Sequence, residues 1–70
     1  MDNTLSWEDS YAIALRLKAE YPTVSVEQVS LRMIYDWTLA LPEFEDDPVM
    51  ANDEILTAIL REWFEEADFS

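Results

Sequence analysis

The sequence predicts an all-α fold: one small domain of about four helices with a helix-turn-helix outline. Three observations point there. Apolar residues recur at helical spacing in three stretches, around Ile13 to Tyr21, Leu31 to Leu41 and Ile55 to Trp63. Pro22, Pro42 and Pro48 lie between those stretches and not inside them. Residues suited to opening a helix (Ser6 or Asp9, Ser30, Asn52) stand ahead of each.

The first helix opens at Ser6 or Asp9, with Glu8 and Asp9 favourably placed at its positive end. Ile13, Ala14, Leu17 and Tyr21 make one apolar stripe. Lys18 suits the negative end, and Pro22 stops the helix near Glu20. In residues 24–30, Ser25 with Gln28 forms a capping box for a short helix or single turn, while Val24, Val26 and Val29 alternatively suggest a strand. Ser30 then caps a helix over residues 31–41, lined by Leu31, Ile34, Trp37 and Leu41 and ended by Pro42. These two short segments give the helix-turn-helix outline.

Residues 41–53 read L-P-E-F-E-D-D-P-V-M-A-N-D. Pro42 and Pro48 keep the stretch from joining its neighbours, so it is a loop. It carries Glu43, Glu45, Asp46, Asp47 and Asp53 and no basic residue. Phe44 and Met50 are the expected anchors to the body of the protein. The last helix opens at Asn52, with Asp53 and Glu54 in its first turn, and presents Ile55, Leu56, Ile59, Leu60 and Trp63 as a wide apolar face. Its acidic end (Glu65, Glu66, Asp68) sits at the negative pole of the helix and is expected to fray.

Seventy residues allow one domain. At this size a core supplies only about 3–5 kcal/mol, and three Trp, three Tyr and three Phe supply buried area efficiently. Trp37, Phe44 and Trp63 are read as core, and Trp7 is expected to pack against the last helix. The N-terminus shows no basic segment followed by a long apolar run, so neither a signal peptide nor a membrane span is expected. The cytoplasm is the default compartment.

Sixteen acids against four bases give a formal net charge of −12. Such a chain repels copies of itself and stays monomeric; it is also repelled by nucleic acid and anionic membranes. Arg32 beside the helix-turn-helix cannot offset the surrounding acids, so that outline is read as packing and not as DNA binding. With no His and no Cys, nucleophile–base catalysis has no parts to work with, and with no Gly the phosphate-cradling loops are excluded. Exposed carboxylates on so short a chain lack the cleft that acid–base work requires. What the acidic loop favours is positive charge: a metal ion, a basic protein, or both. Its oxygen-only donors suit hard cations such as calcium, magnesium, manganese or iron, held loosely. Glu45-Asp46-Asp47 lacks the spacing of an EF-hand. Glu43, Glu45, Asp46 and Asp47, with Asp53 and Glu54 beyond, are the candidate partner surface.

The segments W-E-D-S, A-E-Y-P, D-W-T-L-A-L-P-E-F-E-D-D-P and N-D-E-I-L-T-A-I-L-R-E-W together resemble the IscX family, small acidic proteins of bacterial iron–sulphur cluster assembly. The similarity runs over residues 5–67. It rests on the order and spacing of Trp7, Tyr21-Pro22, Trp37, Phe44, Asp46-Asp47-Pro48, Asn52 and Trp63. The resemblance implies a winged-helix-like helical domain and a non-enzymatic adaptor. Family members bind the cysteine desulfurase IscS near the surface that frataxin also uses, and bind iron weakly. By position, Glu8 and Asp9 match acidic or polar sites at the start of the family's first helix, and residues 43–47 match its acidic loop. Glu8, Asp9, Asp46 and Asp47 are thus the iron contacts that the resemblance implies. Between Val29 and Trp37 the chain departs from the family: Ser30, Leu31, Arg32, Met33 and Tyr35 replace a basic residue followed by Phe-Thr-Asp and a His. Two roles follow besides the desulfurase adaptor, namely an iron carrier and an acidic domain serving another basic protein.

Overall fold

The structure, a computed structural model, describes residues 4–69, with side chains as far as residue 67. Residues 1–3, part of the N-terminus read as carrying no leader, and the Asp68 side chain lie outside the described residues. Within them the chain is mainly helical: α1 (Ser10–Glu20), α2 (Leu31–Ala40) and α3 (Asp53–Phe69), with single 3₁₀ turns at Val26–Gln28 and Pro48–Met50. The expected fourth helix is therefore one turn, and the valines around it form no strand. Ser25 makes no capping hydrogen bond, which corrects the capping box expected there. The only pairing of extended chain among the described residues is a parallel bridge between Leu5 and Phe44.

Asp9 occupies the N-cap position of α1 but does not cap it. Its carboxylate turns back to accept the Ser6 N–H at 2.9 Å, while the Asp9 N–H donates to the Ser6 carbonyl at 3.0 Å. The two candidate caps have closed a turn on each other. Lys18 sits in the last turn of α1 as expected, and the helix ends before Pro22. Ser30 does cap α2: its Oγ accepts the Met33 N–H at 3.2 Å. The Met33 sulphur accepts the Ser30 N–H at 3.4 Å, standing where a capping box usually places Glu or Gln. Asn52 Oδ1 accepts the Ile55 N–H at 2.8 Å at the start of α3. That helix runs to Phe69 and so includes the acidic stretch at its end.

α3 packs against both other helices, most extensively against α1. Ile13, Ala14, Leu17, Ile34 and Ile59 are fully enclosed, with Leu41, Leu56 and Trp63 nearly so. Each large aliphatic among them contributes about 1.5–3 kcal/mol of burial. Leu31, Trp37, Ile55 and Leu60 pack around this centre, half-buried. Trp37 stacks on Tyr21, with ring centroids 4.1 Å apart, and tilts toward Trp63 at 6.2 Å. Trp7 shares the buried cluster with Leu56, Ile59 and Trp63 of α3, while its aromatic contacts lie elsewhere. Its ring partners are Tyr35 of α2 and Phe44 of the acidic loop, at 6.2 and 4.6 Å. The reason is local: the Leu5–Phe44 bridge brings the arm ahead of α1 alongside the loop, so the indole lies over it.

Candidate functional site

The acidic loop is held by its own main chain and by the arm preceding α1. Leu41 is buried, and the Phe44 N–H donates to its carbonyl at 3.1 Å, a turn for which Pro42 presets the backbone. Leu5 N–H then donates to the Glu43 carbonyl, and Glu45 N–H to the Leu5 carbonyl, each at 2.8 Å. Phe44 is half-buried edge-on to Trp7, so it anchors the loop as expected. Met50 does not. It is 61% exposed and Val49 is 85% exposed, because the Pro48–Met50 turn points its side chains away from the core.

Asp46 is the loop's fastener. Its Oδ2 accepts the Trp7 backbone N–H at 3.0 Å, and its Oδ1 accepts the Asp47 N–H at 2.7 Å. The Trp7 N–H first, and the Asp47 N–H second, hold this carboxyl below the usual carboxylate range. Asp47 closes the next turn: its Oδ1 accepts the Val49 N–H at 3.0 Å, with Pro48 at the first position of the turn. The Asp47 carbonyl takes the Trp7 indole N–H at 2.8 Å.

Glu43 is tied to α1. Its carboxylate accepts from Arg16 through Oε2 to Nε, and through Oε1 to Nη2 at 3.4 Å. This hydrogen bond, helped by the residue's own backbone and the guanidinium charge, lowers the Glu43 carboxyl below its ordinary value. Arg16 also reaches Glu20 at 3.2 Å. Among the described residues, Glu43 is the one acid of the candidate partner surface with a basic partner. Glu45, Asp46, Asp47, Asp53 and Glu54 are exposed and form no ion pair among the described residues, although Arg61 lines the same hollow as Asp53 and Glu54.

Of the four residues proposed for iron, Asp9 and Asp46 come together, fastened to the successive amides of Ser6 and Trp7. Glu8 is exposed beside them, and Asp47 is engaged in its own turn. Among the described residues no three acidic groups are arranged to hold a metal ion. Backbone donors already occupy the carboxylates that approach one another, so the site is not a preformed chelate. Arg32, 81% exposed at its side chain, pairs with Asp36 at 3.1 Å along α2.

A family model described as iron–sulphur cluster assembly matches residues 5–68. The chain belongs to this family, the IscX family. A relative from Pseudomonas aeruginosa, the uncharacterized protein PA3808, is 37% identical over 65 residues, covering 93% of this chain and 98% of the relative. The departure from the IscX pattern falls on the cap and first turns of α2, where Ser30 and Met33 close the end of the helix. Among the described residues no helix is long and apolar enough to cross a membrane.

Two features of this IscX-family site lie outside what sequence reasoning found. One is Arg16, one of two bases in α1 with Lys18, which nothing in the sequence set apart as the partner of Glu43. The other is the main-chain pairing of residues 5 and 44. It has no side-chain signature, because a single bridge needs no alternating apolar run.

Proposed function

We propose that this chain is a non-enzymatic, monomeric, cytoplasmic adaptor of iron–sulphur cluster assembly that docks its acidic face on the cysteine desulfurase IscS, competing there with frataxin. The observation that carries the reading is the state of the loop in an IscX-family member. It is fastened at Trp7, Phe44 and Arg16, yet five exposed carboxylates in and beside it have no basic partner among the described residues. A rigid, uncompensated negative surface raises the encounter rate with a basic groove, and docking relieves the repulsion stored on it.

Iron enters as cargo and not as a resident cofactor. Carboxylates already engaged with amides retain free lone pairs, so the face gathers ferrous or ferric ions as loosely held, partly hydrated cations near Glu8, Asp9, Asp46 and Asp47. Anaerobic calorimetry tests this: a weak saturable heat supports it, and no heat up to millimolar iron removes it.

The structure dictates which charges to reverse in testing the docking. Asp46 and Asp47 hold the loop together, so their replacement confounds binding with unfolding. Glu45 and Glu54 are exposed, and their side chains make no hydrogen bond or ion pair among the described residues. Glu45→Lys with Glu54→Lys is expected to weaken desulfurase binding at least about tenfold at low salt while leaving the helical circular-dichroism signal intact. An unchanged affinity sinks the reading.

A further inference from the structure

Val49 and Met50 form the tip of the Pro48–Met50 turn, 85% and 61% exposed. Glu45, Asp46 and Asp47 precede them and Asp53 and Glu54 follow, all exposed, with no Lys or Arg anywhere in residues 41–60. The turn is fixed. Val49 N–H donates to Asp47 Oδ1 at 3.0 Å, Met50 N–H to the Asp47 carbonyl at 3.0 Å, and Ala51 N–H to the Pro48 carbonyl at 3.2 Å. Two apolar side chains are thus held into water between two runs of exposed carboxylates. A connection between α2 and α3 does not need that.

We propose that Val49 and Met50 are the apolar contact at the centre of the acidic face, seated on a basic protein surface in a recess lined by the methylene stems of Lys and Arg, whose charged heads reach the flanking carboxylates. This rests on the docking reading above and adds where its lifetime comes from. Charge decides the occupant. A second copy brings another net −12 against these carboxylates, and anionic lipid or nucleic acid meets the same repulsion. A basic surface is attracted, and its long side chains offer an apolar stem as well as a cation. Removing water from the pair strengthens the ion pairs beside it, the arrangement in which a few enclosed contacts carry most of an interface's affinity. The unbranched methionine adapts to an irregular recess, and the fixed turn leaves little to order on binding. The carboxylates set how fast the complex forms; Val49 and Met50 set how slowly it comes apart.

The test is binding kinetics with purified cysteine desulfurase, comparing the wild type, V49S/M50S and E45K/E54K. V49S/M50S should melt like the wild type, associate within about twofold of it and dissociate at least about tenfold faster, while E45K/E54K mainly slows association at low salt. If the double serine variant proves unstable, M50Q alone should still speed dissociation by about threefold or more. Dissociation within about twofold of wild type in these variants, with charge reversal still slowing association, overturns the apolar contact and leaves the docking reading standing. Failure of the wild type to bind the desulfurase removes both. A wild-type dimer in sedimentation that V49S/M50S abolishes assigns the pair to a second copy and also overturns the proposal.

Discussion

The indole N–H of Trp7 donates to the carbonyl of Asp47 at 2.8 Å across 40 residues of sequence. The same tryptophan is 3% exposed and gives its backbone N–H to Asp46. One side chain therefore joins the arm ahead of α1, the face of α2 at Tyr35 and the acidic loop. Trp7→Phe keeps much of the ring but deletes the donor. It should cost about 1–2 kcal/mol in urea unfolding, a lost hydrogen bond together with some packing. The loss should also be local. Exchange of the Val49 and Met50 amides should accelerate more than that of Leu17, and equal acceleration throughout would refute the assigned role.

Asp46 and Glu43 give the protein an acid-side weakness whose sign follows from their hydrogen bonds. Both carboxyls are held below their ordinary values in the folded chain, Asp46 mainly by the Trp7 N–H and Glu43 mainly by Arg16. A depressed native value means the contribution is complete above the unfolded value, about pH 4, and is lost as pH falls through the native one. Trp7 and Asp47 donate to different oxygens of Asp46, so Asp46→Asn sets an NH2 donor against one of those N–H groups and loses that bond. It should melt below the wild type at about pH 7, and the gap should close as pH falls below about 4. Comparing the two proteins cancels the relief of repulsion that acid brings to both. A gap that stays constant from about pH 7 to about pH 3 contradicts the assignment.

Much of this fold is legible residue by residue. The 3.6-residue periodicity placed the cores of α1, α2 and α3, since Ile13, Leu17, Ile34, Ile59 and Trp63 must leave water wherever the ends fall. Asn52 and Ser30 marked helix starts because their side-chain acceptors match orphan amides. Asp9 carries the same chemistry but finds the Ser6 amide first, a competition between two local bonds that spacing alone does not rank. The acidic loop was legible as a loop. Its orientation was not, because the Leu5–Phe44 bridge is made by main-chain groups that every residue carries. Met50 shows the cost: by hydrophobicity it belongs inside, and a turn fixed by Asp47 and Pro48 puts it outside.

Thr38 is a buried polar residue that the apolar pattern of α2 does not mark. It is fully buried in α2, and its Oγ1 has no hydrogen-bond partner among the described residues. A hydroxyl enclosed without a partner loses its water and gains nothing. Thr38→Val replaces that oxygen with a methyl of similar size and keeps the β-branch. The variant should be as stable as the wild type or more stable by about 1 kcal/mol, read as a shift in urea midpoint at unchanged slope. A loss of more than about 1 kcal/mol indicates that the hydroxyl does have a partner, an enclosed water being the first to consider.

Repulsion itself is measurable without any partner. The molecule spans 28 × 28 × 16 Å and carries a net charge of −12, against three ion pairs among its described residues. At about 0.01 M salt the screening length is about 30 Å, so each carboxylate feels nearly every other. At about 0.1 M it is about 10 Å, and only neighbours interact. Salt weakens the Arg16 and Arg32 pairs too, but these three pairs are few beside the unpaired carboxylates, so the relief of repulsion dominates. The melting temperature should therefore rise with sodium chloride, most steeply between about 0.01 and 0.1 M, and flatten above. Glu45→Gln with Glu54→Gln, which removes two of the repelling charges, should melt above the wild type at low salt and draw level with it at high salt. A wild-type melting temperature that is flat or falling over this range means the carboxylates do not strain the fold, and docking then has no repulsion to release.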